Sequence, residues 1–352
     1  MTDQKHVVIL GAGPAGVGAA WQLARTGRAK VTVLERGAVV GGNAGSFELA
    51  GLKVDYGSHR LHPACAPEIL NDINGLLGDE LLDRPRHGRI RMRGRWIHFP
   101  LKPLDALFSM PPGFVLGAAF DSATGLFRRR AVSTQPQTFE SIMLAGLGPT
   151  ICRDFYFPYA RKIWGVDPVS LSGEQARRRV QASSPAKLIR KLLSSLPLAG
   201  SRRGQRFFYP RAGFGQITQA YGDAAQKFGA EIRFGATVQT IDTTDRAEAG
   251  PDSRRAHTVS FQTIEGTETV AADHVWSSIP ISSLVRCLQP AAPASVVEAA
   301  GQIRFRAMTL VYLVIDQPQF SEFDAHYFPE IDVPVSRISE PRNYSAMSEP
   351  RD

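Results

Sequence analysis

The stretch that decides the fold is VVILGAGPAG, residues 7–16, near the start of the 352-residue chain. Its apolar run ends at Gly11, and an alanine-rich stretch follows, which predicts a strand, a tight turn and a helix. Gly11 permits the sharp turn, Gly13 lets the backbone approach a diphosphate, and Gly16 lets the helix pack close to the strand. An anion would then lie on free amides at a helix N-terminus. The stretch therefore predicts a dinucleotide-binding turn.

The next segment supplies the acidic residue that such a site needs. Val31–Leu34 predicts a second strand, which ends at Glu35, 19 residues after Gly16. A carboxylate at this point accepts hydrogen bonds from the ribose hydroxyls of the nucleotide. Because a glutamate stands there rather than an arginine, a 2′-phosphate is disfavoured, and NADP is the least favoured dinucleotide.

The residues beyond Glu35 distinguish FAD from NAD. Arg36 is followed by Gly41-Gly42-Asn43 and then by DYGSH at residues 55–59. These features resemble the flavoprotein superfamily of the amine oxidases, protoporphyrinogen oxidases, phytoene desaturases and UDP-galactopyranose mutases. In that superfamily an acid–arginine step, a Gly-Gly pair and a D-x-G-x-H-like turn contact the cofactor. The resemblance, and not the spacing alone, therefore implies FAD.

The resemblance also implies which residues contact FAD. By their positions in the family's motifs they are Gly11, Gly13, Pro14, Ala15, Gly16, Glu35, Arg36, Gly41, Gly42, Asn43, Gly57, Ser58 and His59. Residues 229–241 resemble the family's mid-chain strand, in which the backbone near Val238 meets the adenine. Residues 272–280 resemble its late A-D-x-V-I-x-x-x-P segment. His59 is the one candidate catalytic residue, and a polar turn residue bonded to backbone is the equal alternative for it.

The fold class implied by the resemblance is α/β. It consists of a Rossmann-like FAD-binding domain of the GR2-type flavoproteins, an inserted helical cap and a β-sheet substrate domain. We expect residues 1–62 and 205–285 to form the split FAD-binding domain and residues 63–204 to form a mainly helical cap. Residues 286–352 are expected to supply substrate-domain strands, among them a strand at Arg306–Asp316, where the apolar residues alternate.

The end of the chain departs from the family pattern. Members of the superfamily finish with a further strand and a glycine-containing helix start that reaches the FAD, and nothing after Ile338 matches these features. We therefore expect that the C-terminal FAD-binding segment is missing and that the chain is truncated relative to the family. An inactive, truncated dinucleotide-fold protein is one alternative that follows.

Two catalytic hypotheses follow from the resemblance. The first is an FAD-dependent oxidoreductase, of oxidase or desaturase type, that acts on a small organic substrate. The second is a mutase-like isomerase of a nucleotide sugar, because Asn43 matches the Gly-Gly-Asn of the mutases and residues 162–168 match their K-x-W-G-x-D-P stretch. The mutases' proline-containing arginine motif is absent. The substrate residues implied are Tyr156, Arg161, Trp164 and Arg178, and ordinary packing or surface roles are the alternative for Tyr156, Arg161 and Trp164.

The composition of the chain favours some classes of binding partner over others. A net charge of +8 favours anionic small molecules, and the basic groups lack the interleaved aromatic residues of a nucleic-acid site, so we expect no nucleic-acid partner. The three cysteines have no metal-ligand or CxxC spacing, which predicts no metal site and fits a reducing, cytoplasmic compartment. No run reaches the roughly 18 apolar residues of a membrane span. For the apolar stretch Leu101–Asp121 we favour packing between cap helices over a channel wall or a shallow membrane contact.

Overall fold

The computed structural model describes residues 4–99, 108–132, 137–181, 206–245 and 254–345. The chain divides into two compact units. Unit 1 comprises Met1–Asp83, Phe208–Val314 and Ser345–Asp352, and unit 2 comprises Arg84–Phe207 and Ile315–Tyr344.

Strands and helices follow each other along the chain as in an α/β protein. The strands are β1 (Lys5–Leu10), β2 (Ala29–Leu34), β3 (Ser46–Leu49), β4 (Leu52–Asp55), β5 (Leu81–Pro85), β6 (Gly88–Met92), β7 (Arg95–Phe99), β8 (Arg206–Pro210), β9 (Glu231–Arg233), β10 (Thr237–Asp245), β11 (Arg254–Gln262), β12 (Thr267–Ala271), β13 (His274–Ser277), β14 (Leu288–Gln289), β15 (Ala325–Tyr327) and β16 (Arg337–Ser339). The α-helices are α1 (Pro14–Ala24), α2 (Pro67–Leu77), α3 (Pro112–Val132), α4 (Phe139–Leu147), α5 (Pro149–Ile151), α6 (Phe157–Trp164), α7 (Gly173–Gln181), α8 (Gly215–Lys227), α9 (Ile281–Cys287) and α10 (Ala294–Gly301).

Unit 1 is built on a parallel sheet in the strand order β13-β1-β2-β9. The inner ends of β1 and β2, Val7–Leu10 and Val31–Leu34, are buried, as expected for parallel strands that are covered on both faces. Helices α1 and α8 pack beside each other, and Val17, Trp21 and Tyr221 belong to the core that they form with the sheet. The strand, turn and helix predicted for residues 7–24 are thus present.

A second sheet in unit 1 has the order β12-β11-β10-β14. Strands β10, β11 and β12 are antiparallel neighbours, whereas β14 joins β10 in parallel. Buried Ile241, Val259 and Phe261 from this sheet share a core with Val8 and Leu10 of β1. The short hairpin β3–β4 carries the connection from the glycine pair at residues 41–42 to the turn at residues 57–59. Both predicted cofactor turns therefore extend from elements of unit 1.

Unit 2 combines a mixed sheet in the order β16-β15-β6-β7 with helices α3 to α7. We expect a mainly helical region here from the sequence, but β6 and β7 form an antiparallel hairpin. The sequence carries the signal for it: Ile90, Met92 and Ile97 are buried and alternate with more exposed residues, and Arg93-Gly94 between the strands has positive φ angles of 52° and 73°. The helical prediction missed this period-two pattern.

The expected strand at Arg306–Asp316 is absent, and that prediction is wrong. Residues 303–315 have no regular secondary structure, and Phe305, Val311 and Leu313 are exposed. Alternation predicts which face of a strand is buried, but a strand also needs a neighbour with which to exchange backbone hydrogen bonds. No strand within the described ranges pairs with this segment. The segment is held by the Tyr312 hydroxyl, which donates to the Asp55 carbonyl oxygen at 2.5 Å.

Candidate functional site

The turn after β1 is shaped by close packing at two of its glycines. Gly11 has a φ of +91°, and a Cβ placed there would lie 2.8 Å from the Ser278 hydroxyl oxygen. A Cβ on Gly16 would overlap the carbonyl oxygen of Gly11, because α1 passes very close to the end of β1. The two residues must therefore be glycine for reasons internal to the protein.

Gly13 differs because the space beside it is open. A Cβ on Gly13 would have no atom within 4 Å apart from its chain neighbours. Gly13 caps α1 without a side-chain hydrogen bond, Pro14 has no N–H, and the first turn of the helix contains no acidic residue. The amide groups of Ala15 and Gly16 have no acceptor within the helix, since they belong to its first turn. Open space and free amides at a helix N-terminus suit a diphosphate.

Glu35, the predicted ribose acceptor, holds the turn through its own hydrogen bonds. Its carboxylate accepts hydrogen bonds from the Ala12 N–H at 2.7 Å and from the Gly37 N–H at 2.6 Å. Its own N–H donates to the Arg233 carbonyl oxygen of β9. A carboxylate has about four lone-pair directions, so two remain for ribose hydroxyls. Arg36, next to it, is exposed.

The glycine pair at residues 41 and 42 lies directly against the first turn. The Gly41 N–H donates to the Ala12 carbonyl oxygen at 2.9 Å, and a Cβ on Gly42 would lie 3.5 Å from the Gly13 Cα. Gly41 and Gly42 have φ angles of +120° and +51°, so both favour glycine. Asn43 continues this loop in a short 3₁₀ helix. Two glycine-containing backbone segments thus meet beside Gly13.

The turn at residues 57–59 is tied to the same loop. The Nε2–H of His59 donates to the Asn43 carbonyl oxygen at 2.8 Å, and the His59 ring lies 5.1 Å from the Phe214 ring. A Cβ on Gly57 would lie 2.9 Å from the same His59 nitrogen. The Ser58 hydroxyl accepts a hydrogen bond from Arg60. His59 therefore has the backbone partner that the alternative to catalysis describes, and its catalytic role stays a prediction.

Val238 lies in β10 opposite Phe261, next to an irregularity in the register between Val238 and Thr240. Its carbonyl oxygen accepts a weak hydrogen bond from the Cys287 thiol at 3.8 Å. Burial raises the pKa of that thiol, which keeps Cys287 protonated. The contact of this backbone with adenine stays a prediction.

Asp55 is a candidate site residue that is not among those predicted from the sequence. It ends β4 and is 8% exposed, yet its carboxylate accepts hydrogen bonds from three groups. The donors are the Ser46 hydroxyl at 2.6 Å, the Phe214 N–H at 2.9 Å and the Tyr209 hydroxyl at 2.7 Å. The available signal was the acidic residue that opens the D-x-G-x-H-like turn, since a strand-end carboxylate among apolar residues needs several donors when it is buried.

The candidate substrate residues lie in unit 2. Tyr156 ends a π-helical turn, Cys152–Tyr156, and Trp164 ends α6; both pack, partly buried, against one apolar cluster that contains Phe139. The Nε of Arg161 donates to an Asp167 carboxylate oxygen at 2.7 Å in an exposed ion pair.

Arg178 lies in α7, and its side chain is outside the described residues. The structure therefore brings Tyr156 and Trp164 together by packing, and it gives Arg161 a surface partner.

Lys162, the first residue of the K-x-W-G-x-D-P stretch, has a structural role in unit 2. Its ammonium group donates to the carbonyl oxygens of Phe328, Glu330 and Val335 at 2.8, 2.7 and 2.9 Å. Burial lowers the pKa of Lys162, while the nearby charges of Asp332 and Glu330 act in the opposite direction. Since all three N–H donors are engaged, Lys162 serves to hold a loop of unit 2.

A buried polar network in unit 2 contains a serine, a histidine and an acid without forming a nucleophilic triad. The Arg89 Nε donates to His326 Nδ1 at 2.8 Å, so His326 must carry its hydrogen on Nε2, which faces the Ser321 oxygen at 3.0 Å. The Ser321 hydroxyl then donates to Glu340 at 2.9 Å. Because the imidazole donates to the serine rather than accepting from it, Ser321 is not activated.

Within the described ranges, no group of three or more histidine, cysteine, aspartate or glutamate side chains is arranged to hold a metal ion. No helix in the same part of the chain is long and apolar enough to cross a membrane. Of the apolar stretch Leu101–Asp121, residues 101–107 lie outside the described residues. In α3, Phe114 is buried as expected for packing, whereas Leu116 and Phe120 are 70% and 68% exposed.

The chain is similar to proteins of known families. A family model described as flavin containing amine oxidoreductase matches residues 14–350. A phytoene dehydrogenase of Streptomyces griseus is 27% identical over 278 residues, which cover 69% of this chain and 50% of that protein. A probable UDP-galactopyranose mutase of Klebsiella pneumoniae is 27% identical over 183 residues, which cover 50% of this chain and 45% of that protein.

A crystal structure of a reduced UDP-galactopyranose mutase superposes with a TM-score of 0.73 at 22% identity, covering 98% of this chain and 70% of that one. At this identity the likeness is one of fold. The chain spans about half the length of the two curated relatives.

Proposed function

The chain belongs to the flavin-containing amine oxidoreductase family, and from this premise we propose that it is an FAD-dependent oxidoreductase of the oxidase or desaturase type. Its substrate is a small organic molecule. FAD, when bound, supplies a ring that accepts a hydride from a substrate carbon. The protein's own residues bind and orient the two molecules and exclude water. The similarity to a phytoene dehydrogenase over 69% of the chain supports the desaturase type.

One observation carries the proposal: the uncapped N-terminus of α1 opens at Gly13 onto the glycine pair at residues 41–42. Neither a capping side chain nor an acidic residue in the first turn competes for the amides of α1. A diphosphate there would gain both the backbone hydrogen bonds and the favourable end of the helix dipole. The site is thus suited to hold the centre of a dinucleotide cofactor.

The remaining contacts are assigned outward from this centre. We place the ribose at Glu35 and the adenine beside the backbone near Val238. The flavin end is placed at the turn of residues 57–59. Pro14, Ala15, Arg36 and Asn43 border the diphosphate and ribityl chain. Each of these segments belongs to unit 1.

The proposal is tested by the cofactor that the purified protein retains. We expect a flavin absorption spectrum and FAD in the supernatant after acid precipitation. An oxidisable organic substrate should then bleach the oxidised flavin under anaerobic conditions. Recovery of NAD alone, or of no nucleotide from the folded protein, would contradict the proposal. A protein that retains FAD but is reduced by no substrate would support the inactive alternative.

A second candidate function is the isomerisation of a nucleotide sugar without net redox change. It is favoured by the match to the Klebsiella protein and by the Gly-Gly-Asn sequence at residues 41–43, where the Asn43 carbonyl oxygen is bound by His59. The net charge of +8 suits a substrate that carries a diphosphate. The ion pair between Arg161 and Asp167 argues against a diphosphate-binding role for Arg161, because the guanidinium group already has an acidic partner. We therefore rank this function second.

We also propose a reducing, cytoplasmic location and no nucleic-acid partner. The three cysteines, Cys65, Cys152 and Cys287, are free thiols, as a reducing compartment requires. Cell fractionation with an antibody against the protein tests the location. Recovery in an oxidising compartment would contradict it.

A further inference from the structure

The carboxylate of Asp55 stands between the elements that carry the two cofactor turns. One oxygen, Oδ1, accepts from the Ser46 hydroxyl at 2.6 Å and from the Phe214 N–H at 2.9 Å. The other, Oδ2, accepts from the Tyr209 hydroxyl at 2.7 Å. The carboxylate thus has a side that faces β3 and the start of α8, and a side that faces β8.

We propose that Asp55 is a positioning residue for FAD: through Ser46 it fixes the loop of residues 41–45 and thereby the opening between Gly13 and Gly42. This inference rests on the proposed function, because it assigns the opening to the FAD diphosphate. Asp55 itself does not line the opening, so it would act through the backbone that it holds.

The contacts form a continuous path from Asp55 to the opening. The Ser46 hydroxyl donates to Asp55 and accepts from the Gly215 N–H at 2.8 Å, so it joins β3 to the N-terminus of α8. Ser46 directly follows the loop. Inside the loop, a Cβ on Gly41 would lie 2.7 Å from the Gly45 Cα and 3.1 Å from the Thr218 hydroxyl oxygen of α8. The loop therefore has no room to shift relative to α8 without breaking contacts.

The last step of the path reaches the diphosphate turn itself. The Gly41 N–H donates to the Ala12 carbonyl oxygen at 2.9 Å, and the Ala12 N–H donates to Glu35 at 2.7 Å. A shift of Ser46 would thus be transmitted to the Gly13 side of the opening as well as to the Gly42 side. Because a diphosphate needs amide hydrogens within hydrogen-bond distance on both sides, a small shift should weaken its binding.

Because the Asp55 carboxylate accepts from three donors, it also stabilises the fold. The structural role and the positioning role can be tested separately, because the two oxygens of the carboxylate bind different donors. Ser46→Ala removes the bond on the loop side, whereas Tyr209→Phe removes one bond of similar length on the opposite side. Both variants lose one hydrogen bond to the same charged group, and Ser46→Ala also loses the bond from the Gly215 N–H. A purely structural role therefore predicts that the loss of FAD affinity follows the loss of melting temperature in both variants. A positioning role predicts different effects on FAD.

The experiment measures FAD affinity of the apoprotein by fluorescence titration for the wild type, Asp55→Asn, Ser46→Ala and Tyr209→Phe. Asp121→Asn, a change at a buried carboxylate of unit 2, is the control for general destabilisation. Melting temperatures of the apoproteins and the visible flavin spectra are recorded alongside. We expect Asp55→Asn and Ser46→Ala to weaken FAD binding about tenfold and to shift the flavin absorption band. Tyr209→Phe and Asp121→Asn should stay within about twofold of the wild type.

Wild-type FAD affinity in folded Ser46→Ala and Asp55→Asn would overturn the inference, as would an equal loss in Ser46→Ala and Tyr209→Phe. If Asp55→Asn fails to fold, the comparison of Ser46→Ala with Tyr209→Phe decides alone. Absence of FAD binding by the folded wild-type protein would instead overturn the proposed function. The two failures are therefore distinguishable.

Discussion

At the scale of single residues, Glu35 has a structural role in addition to the ribose-binding role that the sequence predicts. Its position after β2 predicts a ribose acceptor, and the structure adds hydrogen bonds from the Ala12 and Gly37 amides. The residue type and position follow from the dinucleotide motif, but the two amide contacts depend on how the following loop folds back. For this reason the sequence predicts the acid and not its structural role.

The two tasks of Glu35 predict a graded mutational response. Glu35→Ala should weaken FAD by about 1–3 kcal/mol, because the ribose loses a charged acceptor and two amides lose theirs. Glu35→Gln keeps one carbonyl oxygen and should lie between Glu35→Ala and the wild type. Fluorescence titration of the apoproteins checks both values. Equal affinity in all three proteins would show that the cofactor binds elsewhere.

His326 in unit 2 gives a prediction for pH. Burial, and next the charge of Arg89, lower its pKa below the ordinary value of 6.5, against the opposing effect of Glu340 and Asp324. The unfolded chain therefore binds a proton at a higher pH than the folded one. The stability that neutral His326 contributes is complete above pH 6.5 and decreases as the pH falls from 6.5 towards the lowered pKa.

Urea unfolding at a series of pH values checks this, with His326→Gln as the informative variant. A glutamine can accept from Arg89 and donate to Ser321 without titrating, so its stability should depend less on pH between 7.5 and 5. His274→Gln, at an exposed histidine, is the control for the substitution itself. Identical slopes in the wild type and His326→Gln would contradict the prediction.

At the scale of elements, the sequence predicts structure well where a local pattern and its partner are both nearby. Strand β1, the glycine turn and α1 follow from residues 7–24, because the turn chemistry and the two periodicities agree. The segment of residues 303–315 was not predicted correctly. Its apolar residues do alternate, but the alternation does not reveal whether a neighbouring strand is available for pairing. The Asp55 contacts also escaped prediction, because Tyr209 and Phe214 approach it from distant parts of the chain.

The glycines at the start of α1 allow packing within the protein to be separated from space for a ligand. Gly13→Val should leave the melting temperature of the apoprotein nearly unchanged, because the space is open, and should abolish most FAD binding. Gly16→Val should instead destabilise the apoprotein by about 2 kcal/mol or more, because α1 cannot approach β1. Thermal unfolding with and without FAD distinguishes them. Loss of stability in Gly13→Val equal to that in Gly16→Val would contradict the assignment of an open ligand space.

At the scale of the whole molecule, the predicted family is confirmed by the family match over residues 14–350. The predicted α/β fold is confirmed by the same match and by the superposition on a reduced UDP-galactopyranose mutase. FAD as the cofactor is confirmed in the same way. The reaction type is harder to predict than the fold, because one fold serves both redox and isomerase reactions in this superfamily. A few side chains of the site select the substrate. The predicted cofactor residues and the predicted substrate residues also belong to different units of the chain.

The two catalytic candidates differ in what a UDP-sugar should do. An isomerase has no net redox change, so a UDP-sugar should bind best in one redox state, which we expect to be the reduced one, without bleaching the oxidised flavin. Arg178→Ala should then cost more affinity for a UDP-sugar than for uridine, because the lost partner is a diphosphate. Arg177→Ala is the matched control on the same helix, since Arg177 is already bonded to Glu174 and Gln137. An oxidase or desaturase should ignore UDP-sugars in both states and be bleached by an apolar substrate. Indifference to UDP-sugars with FAD fully bound would eliminate the isomerase.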